Sequence, residues 1–511
     1  LIRSAKILFL QKCNFCTPEL TKNENMEKQY DVCIIGAGVV GNAVARELSR
    51  YHLRAAVVEK ESDVSMGTSS RNSGVIHSGI HYKPGTVRAQ LNVQGNAMMT
   101  DLCRELKVKI QYIGKLTIAQ DEEDIQTLHS LKEQGEANGV PGLEILDAEQ
   151  MQKIQPGVGG IKALLSPSTG IICPYGLAIG LAENAHANGV DFYLSHEVSH
   201  ISSTGQGFRV KTVAGADLSC SVLVNAAGLY ADRLCRMLGI TEYSIYPCRG
   251  EYLILDKRLQ GSLNVLVYPA PRKGGAGLGI HLTNTVDGNI LIGPSNEYVD
   301  AADDYACTAQ IIELLKKEGH ELLPGLSTSD FIRNFSGLRP KQTPPEVKGF
   351  KDFVIESRKD VPGFINLVGI ESPGLTCSPA IALMVRDMVA ERLPLREKSS
   401  FVAERPGRVG FFHELPPNEQ AELVEQNSDY GEIVCRCEQI TKKEVLDAIQ
   451  NPLGVKTVAA IKYRSRAMMG RCQGGFCLPR IVQILQKDFG YRPEDYILNS
   501  AGSRLFAGSV R

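Results

Sequence analysis

Apolar and polar positions divide the chain into two regimes. Tyr30-Asp31-Val32-Cys33-Ile34-Ile35 is a near-continuous apolar run, as expected of a strand covered on both faces of a parallel sheet. A glycine-rich turn at residues 36–41 follows, then helical periodicity over 42–50 and a second short apolar strand over 55–58. Residues 114–155 alternate a strand-like run with a polar helical stretch. Residues 243–350 hold several short apolar runs broken by Gly and Pro, the pattern of an antiparallel sheet. Two more apolar strands, at 221–224 and 364–368, each run into a glycine-containing turn. Beyond about residue 395 the pattern breaks up. Residues 397–430 are charged and loop-like, with one helical candidate at 417–425. Thr441-Lys442-Lys443-Glu444 then has the spacing of a capping box that opens a helix. The pattern predicts an α/β body over 26–395 with an interleaved antiparallel sheet, mainly 110–160 and 243–350. A linker over 396–430, a small and mainly helical domain over 431–490 and a tail over 491–511 complete the chain.

Composition narrows the classes. The 511 residues carry 56 Lys+Arg against 57 Asp+Glu, and so near-neutral a balance gives no support for nucleic acid as a partner. Hydrophobic residues at 43% supply a large core, but no run reaches the ~20 apolar residues of a membrane-spanning helix. Fourteen cysteines over this length are too dilute for a secreted disulfide scaffold. The expected compartment is therefore reducing and cytoplasmic, with contact to a membrane surface only through a partner. Residues 1–25 are weakly basic, with Leu1 at the start and Met26 just before the first strand pattern. They are expected to lie outside the fold, as upstream translated sequence or a presequence. Cys13 and Cys16 form a lone CxxC with no second pair nearby, which is weak evidence for a metal.

The turn after the first strand reads Gly36-Ala37-Gly38-Val39-Val40-Gly41, a GxGxxG. Gly36 suits the tight turn, Gly38 lets the backbone approach a pyrophosphate, and Gly41 lets the helix pack on the strand. The helix N-terminus adds N–H groups and a partial positive charge. Glu59, at the end of the second strand and followed by Lys60, suits ribose hydroxyls. Strand, turn, helix, strand and acid in this order point to a dinucleotide, without separating NAD from FAD.

The segment Gly67-Thr68-Ser69-Ser70-Arg71-Asn72-Ser73-Gly74 is rich in small hydroxyl side chains, and Val75-Ile76-His77-Ser78-Gly79-Ile80-His81-Tyr82 follows it. Here the sequence resembles the D-amino-acid-oxidase-like FAD oxidoreductases, which include glycerol-3-phosphate and L-2-hydroxyglutarate dehydrogenases. Asn225-Ala226-Ala227-Gly228 is similar to the family's strand end near the flavin. Gly369-Ile370-Glu371-Ser372-Pro373-Gly374-Leu375-Thr376 is similar to its final glycine turn. The resemblance implies FAD held by Gly36, Gly38, Gly41, Glu59, Lys60, Thr68, Ser69, Ser70, Arg71, Asn72, Ser73, Ala227, Gly228, Gly369, Gly374, Leu375 and Thr376.

Cys435-Arg436-Cys437 and Cys472-Gln473-Gly474-Gly475-Phe476-Cys477 group four thiols as CxC and Cx4C. Four cysteines can hold a [2Fe-2S] cluster, with a tetrahedral Zn site as the alternative. Gly470, Gly474 and Gly475 favour iron by leaving backbone N–H groups near the sulfurs. The arrangement is similar to the bacterioferritin-associated-ferredoxin-like domain of anaerobic-type glycerol-3-phosphate dehydrogenase subunits.

A flavin takes two electrons and a [2Fe-2S] cluster carries one at a time, so one chain with both is expected to oxidise a small substrate and feed a separate acceptor protein or subunit. Oxidising an alcohol needs a base and, for an anionic substrate, a cation. His77 and His281 are the base candidates. Arg339 and Lys341, in Ser336-Gly337-Leu338-Arg339-Pro340-Lys341, are the anion clamp, with Arg249 a weaker basic candidate. The family resemblance implies a small anionic hydroxy substrate, glycerol 3-phosphate in first place and L-2-hydroxyglutarate as the alternative. The stretch from His77 to Gly85 is more similar to the hydroxyglutarate enzymes, and the appended cluster domain to the glycerol phosphate ones. An electron-transfer or redox-sensing protein without its own substrate is the competing class.

Overall fold

A computed structural model of the chain describes residues 28–271, 279–323, 325–347, 349–407, 410–500 and 502–508. The N-terminal extension, with Cys13 and Cys16, lies outside the described residues.

The strand Lys28–Ile35 sits inside an eight-stranded sheet, parallel to Asp217–Asn225 on one side and to Ala55–Val58 on the other. Asp191–Tyr193 extends the sheet beyond Ala55–Val58, and Phe364–Val368 lies parallel to the end of Asp217–Asn225. Successive side chains of a strand point to opposite faces. Val32 and Ile34 therefore enter one core with the helices Val39–Leu48, Val87–Leu106, Pro174–Ala187 and Gly374–Ala390. Cys33 and Ile35 enter a second core with Phe208, Leu223 and Phe364. Burial on both faces is the physical reason the run from Tyr30 to Ile35 is apolar without alternation.

A nine-stranded sheet stands against this body, mostly antiparallel as expected. Its one parallel pair joins Leu266–Pro269 to Lys115–Ala119. The strand Phe331–Lys341 pairs antiparallel with Tyr246–Leu255 along almost its whole length, bringing Arg339 opposite Cys248.

The C-terminal unit has a two-stranded ladder, Ile433–Cys435 with Ile440–Thr441, and helices Lys442–Ile449, Val458–Ser465 and Cys477–Phe489. Thr441 and Glu444 form the capping box in both directions. Ile440, Val445, Ile461 and Ile481 fill its core. Two buried arginines tie this unit to the α/β body. Arg464 reaches Asp63 at 2.5 and 3.0 Å and Glu183 at 2.9 Å. Arg466 meets Asp287, Tyr175 and Glu438.

Two expectations shift. The first helix begins at Val39, three residues before the periodic run, because Gly38 is its N-cap and Gly41 lies inside its first turn. The segment read as a linker is also fastened down. Asn184 Nδ2 donates to the carbonyls of Val402, Ala403 and Glu404, and Arg405 Nε donates to Glu183 at 2.8 Å. No helix among the described residues is long and apolar enough to cross a membrane.

Candidate active site

A cavity of about 1250 Å³ runs from the glycine turn to the nine-stranded sheet, larger than the ~300–1,000 Å³ typical of small-molecule pockets. At one end the turn is built by close backbone approach. A Cβ on Gly36, at φ +107°, would lie 2.4 Å from the Ala226 carbonyl oxygen, and one on Gly41 would lie 1.9 Å from the Gly36 oxygen. Neither glycine lines the cavity; both set the path that presents Gly38 to it. Glu59 accepts backbone N–H bonds from Ala37 at 2.7 Å and Glu61 at 2.9 Å. Burial raises its pKa against the pull of those two amides. Each oxygen keeps a lone pair for a ribose hydroxyl. Lys60 lines the cavity beside it, with its ammonium over the Tyr230 ring.

The hydroxyl-rich loop closes over the helix N-terminus. Ser69 Oγ accepts the Val39 N–H at 2.8 Å, and Thr68 Oγ1 donates to the Leu338 carbonyl. Asn72 holds the loop in shape, donating to the Thr68 and Ser69 carbonyls and accepting from Gly74 N–H. Arg71 and Ser73 face the cavity, as do Ala227, Gly228, Gly374 and Leu375. Ser70, Gly369 and Thr376 do not line it. Ser70 Oγ turns back to the Gly67 carbonyl, and Gly369 makes its turn at φ +69°. Thr376 Oγ1 accepts the His77 N–H, joining two loops that border the cavity. These features fit FAD: an anion-ready helix N-terminus, a buried carboxylate and a backbone too tight for side chains.

At the other end lie the base and clamp candidates. His281, 3% exposed, stacks on Tyr268 at 3.7 Å between ring centroids, and its Nδ1 lies 2.8 Å from the Gly279 carbonyl. His77 Nε2 lies 3.3 Å from Ser372 Oγ. Burial, and then Lys115 when it is protonated, lower the His77 pKa to about 3. Burial lowers His281 to about 3 as well, with Lys115 and Arg339 adding to it and the Gly279 carbonyl opposing. Both rings are therefore neutral. Arg339 lies across Gly250, where a Cβ would fall 2.6 Å from its Nη2. It donates to the Ser295 carbonyl at 3.2 Å and has no carboxylate partner among the described residues. Lys341 lines the same cavity but faces Glu371 at 3.2 Å, which also meets Arg88 at 3.5 Å. Lys341 shares that one carboxylate with Arg88, whereas Arg339 faces none among the described residues. Arg249 is drawn away altogether, into bonds with Glu297 and Asp304.

In the C-terminal unit, Cys437 Sγ is 3.7 Å from Cys472 Sγ, and Cys435 hydrogen-bonds Cys477. The Cys477 thiol first, then backbone N–H groups of Met468 and Glu438, lower the Cys435 pKa to about 6 against burial. A Cβ on Gly470 would fall 2.2 Å from Cys437 Cβ, so only glycine lets that loop close on the thiols. Among the described residues no three His, Cys, Asp or Glu converge as ligands of one ion would. Two thiol pairs suit a two-iron cluster better than a single zinc.

Residues 31–388 match the family model for FAD dependent oxidoreductases, and residues 433–487 match that for BFD-like [2Fe-2S] binding domains. The chain belongs to the FAD dependent oxidoreductase family. A glycerol 3-phosphate dehydrogenase of Caloramator mitchellensis is 40% identical over 94% of this chain and 99% of its own length. The mitochondrial L-2-hydroxyglutarate dehydrogenase of Arabidopsis thaliana is 32% identical over 70% of this chain and 82% of its own. Among solved structures, the L-alpha-glycerophosphate oxidase of Mycoplasma pneumoniae, with FAD bound, superposes with a TM-score of 0.69. It is 28% identical and covers 74% of this chain and 98% of its own. FAD and a [2Fe-2S] cluster are accordingly this oxidoreductase's cofactors.

Sequence reasoning places His81 beside the flavin loop without making it a base candidate, and it misses Lys115 and Glu371. Lys115 is 1% exposed, and its Nζ lies 2.9 Å from His81 Nε2. The available signal was Lys115-Leu116-Thr117, a strand whose polar positions alternate yet face no solvent.

Proposed function

We propose that this oxidoreductase oxidises glycerol 3-phosphate to dihydroxyacetone phosphate and passes the electrons to a separate acceptor protein or subunit. Bound FAD supplies the hydride acceptor, and the cluster supplies a one-electron outlet. The observation that carries the reading is Arg339, a guanidinium without a carboxylate partner in the cavity that also holds neutral His77 and His281. The planar fork of Arg339 binds the anionic end of the substrate, and its fixed position orients the hydroxyl-bearing carbon. Lys341 and Arg88 share the single carboxylate of Glu371 and border the same end, so this group adds hydrogen-bond donors and one net positive charge. A neutral imidazole of His77 or His281 receives the hydroxyl proton. The relative with 40% identity over nearly the whole chain supports glycerol 3-phosphate, and this chain's cluster domain supports the outlet. No described cysteine forms a disulfide, which supports a reducing, cytoplasmic setting.

The test is anaerobic mixing of oxidised enzyme with glycerol 3-phosphate and, separately, L-2-hydroxyglutarate, following loss of flavin absorbance. Rapid bleaching by glycerol 3-phosphate is expected. Bleaching by the hydroxy acid alone would transfer the assignment to that substrate, and bleaching by neither would favour a redox protein without its own substrate.

A further inference from the structure

An alcohol oxidation releases a proton that must rest somewhere, and burial lowers the pKa of His81 as well as of His77 and His281, so none of the three imidazoles keeps it. The cavity wall offers a second basic pair. His81 lines the cavity, and its Nε2 meets Lys115 Nζ at 2.9 Å. Lys115 is 1% exposed and has no salt bridge among the described residues. Its strand neighbours across the sheet are Ser166 and Leu266, which carry no charge. The groups facing it are the Tyr268 ring, 5.1 Å from the ammonium, and the imidazoles of His77, His81 and His281. No hydrogen bond to His81 Nδ1 is formed by a described residue, which leaves that atom for the cavity.

We propose that the His81–Lys115 pair is the resting place of the proton lost by the substrate hydroxyl. This rests on the alcohol-oxidation reading above. In the ready state Lys115 is a neutral amine accepting Nε2–H from His81. The substrate O–H bond breaks, directly or through a neighbouring imidazole, and His81 Nδ1 gains that proton. The Nε2 proton moves to Lys115 Nζ as the carbon becomes a carbonyl, and bound FAD would supply the acceptor for the hydride. The pair ends as a neutral imidazole and a buried ammonium, with one proton gained in all.

Burial supports the assignment by lowering the Lys115 pKa to about 7. A base is most useful when its pKa lies near the working pH. Below about 7 the amine is already protonated and the pair has no vacancy, so flavin bleaching by substrate should fade as the pH falls through 7.

The experiment follows anaerobic flavin bleaching by glycerol 3-phosphate from pH 5.5 to 9.5 in wild type, Lys115→Arg and Lys115→Met. Wild type should show a rising limb near pH 7. Lys115→Arg keeps the charge but cannot accept a proton, and should be slower by roughly 100-fold or more at every pH. Lys115→Met should lose the limb. A second readout needs no substrate. An amine whose folded pKa lies below its unfolded value of ~10.4 makes stability rise with pH between the two. Lys115→Met should therefore melt above wild type at pH 7, with the gap closing toward pH 10. A merely structural lysine would lower the melting temperature on replacement at every pH. Wild-type rate and limb in Lys115→Arg would overturn the proposal. If the Lys115 variants do not accumulate, His81→Gln decides it by the same profile, since an unchanged limb there is equally fatal. No bleaching of wild type by any alcohol refutes the enzyme reading instead.

Discussion

Arg339 and Lys341 are two residues apart on one strand and both reach the cavity, yet they differ electrostatically. Glu371 pairs with Lys341 and Arg88, whereas among the described residues Arg339 meets the Ser295 carbonyl, the Cys248 thiol and the Tyr252 hydroxyl but no carboxylate. Breaking a desolvated charged hydrogen bond to substrate costs about 2–5 kcal/mol. Arg339→Ala should therefore lower kcat/KM by roughly 30-fold to several thousand-fold, because each ~1.4 kcal/mol is tenfold. Flavin content, read from the absorbance of purified protein, should stay normal. Equal activity of variant and wild type at low substrate concentration would remove Arg339 from the site. The motif around Arg339 was legible in the sequence, but the pairing of Lys341 was not, since Glu371 is thirty residues away and meets it only through the fold.

Among the elements, the strand–turn–helix around the first glycines is the most constrained. Gly38 faces the cavity and Gly41 the strand, and a Cβ on Gly38 would stand 3.1 Å from the movable Ser69 hydroxyl. On Gly41 it would stand 1.9 Å from the backbone oxygen of Gly36. Backbone cannot rotate away as a side chain can, so the helix must shift off the strand. Gly41→Ala should lower stability by about 1–3 kcal/mol, the usual range for overpacking, and reduce retained FAD more than Gly38→Ala does. Flavin-to-protein ratio after gel filtration and a melting curve for each variant provide the comparison. Equal retention in the two variants would mean that the helix tolerates displacement. Gly337 marks a similar seam, since a Cβ there would lie 1.9 Å from the Arg71 carbonyl oxygen and push the nine-stranded sheet off the loop.

At the scale of the whole molecule, the cluster unit is anchored by buried charge. Arg464 meets Asp63 and Glu183, and Arg405 meets Glu183 from the strap that follows the α/β body. Removing one partner of such a network typically costs about 3–5 kcal/mol, because the remaining charges stay buried. Arg464→Met should lower the melting temperature and open the strap to limited proteolysis, while iron content remains unchanged. Burial alone would raise the Glu183 pKa, but Arg405 and Arg464 together hold it below the ordinary value. A carboxylate lowered in the folded state adds stability that is complete above its unfolded pKa of ~4.3 and fades as the pH falls through the folded value. Wild type should therefore lose this stabilisation below about pH 4, and Arg464→Met should show a smaller acid-dependent loss. Identical acid profiles in the two proteins would show that the network does not anchor the unit.

The sequence by itself determined the elements whose signal is local. The unbroken apolar strand, the glycine turn, the Thr441–Glu444 capping box and the paired CxC and Cx4C thiols each depend on neighbours within a few residues. The spacing of such features was enough to identify a dinucleotide fold and a cluster unit. What only the tertiary structure decided is the set of contacts between distant segments. These include the alignment of Arg339 over Gly250, the loss of Arg249 to Glu297 and Asp304, and the buried meeting of His81 with Lys115. A side chain's charge state and role depend on which partners and how much water surround it. Those partners are brought together by the fold across tens of residues, which no local pattern encodes.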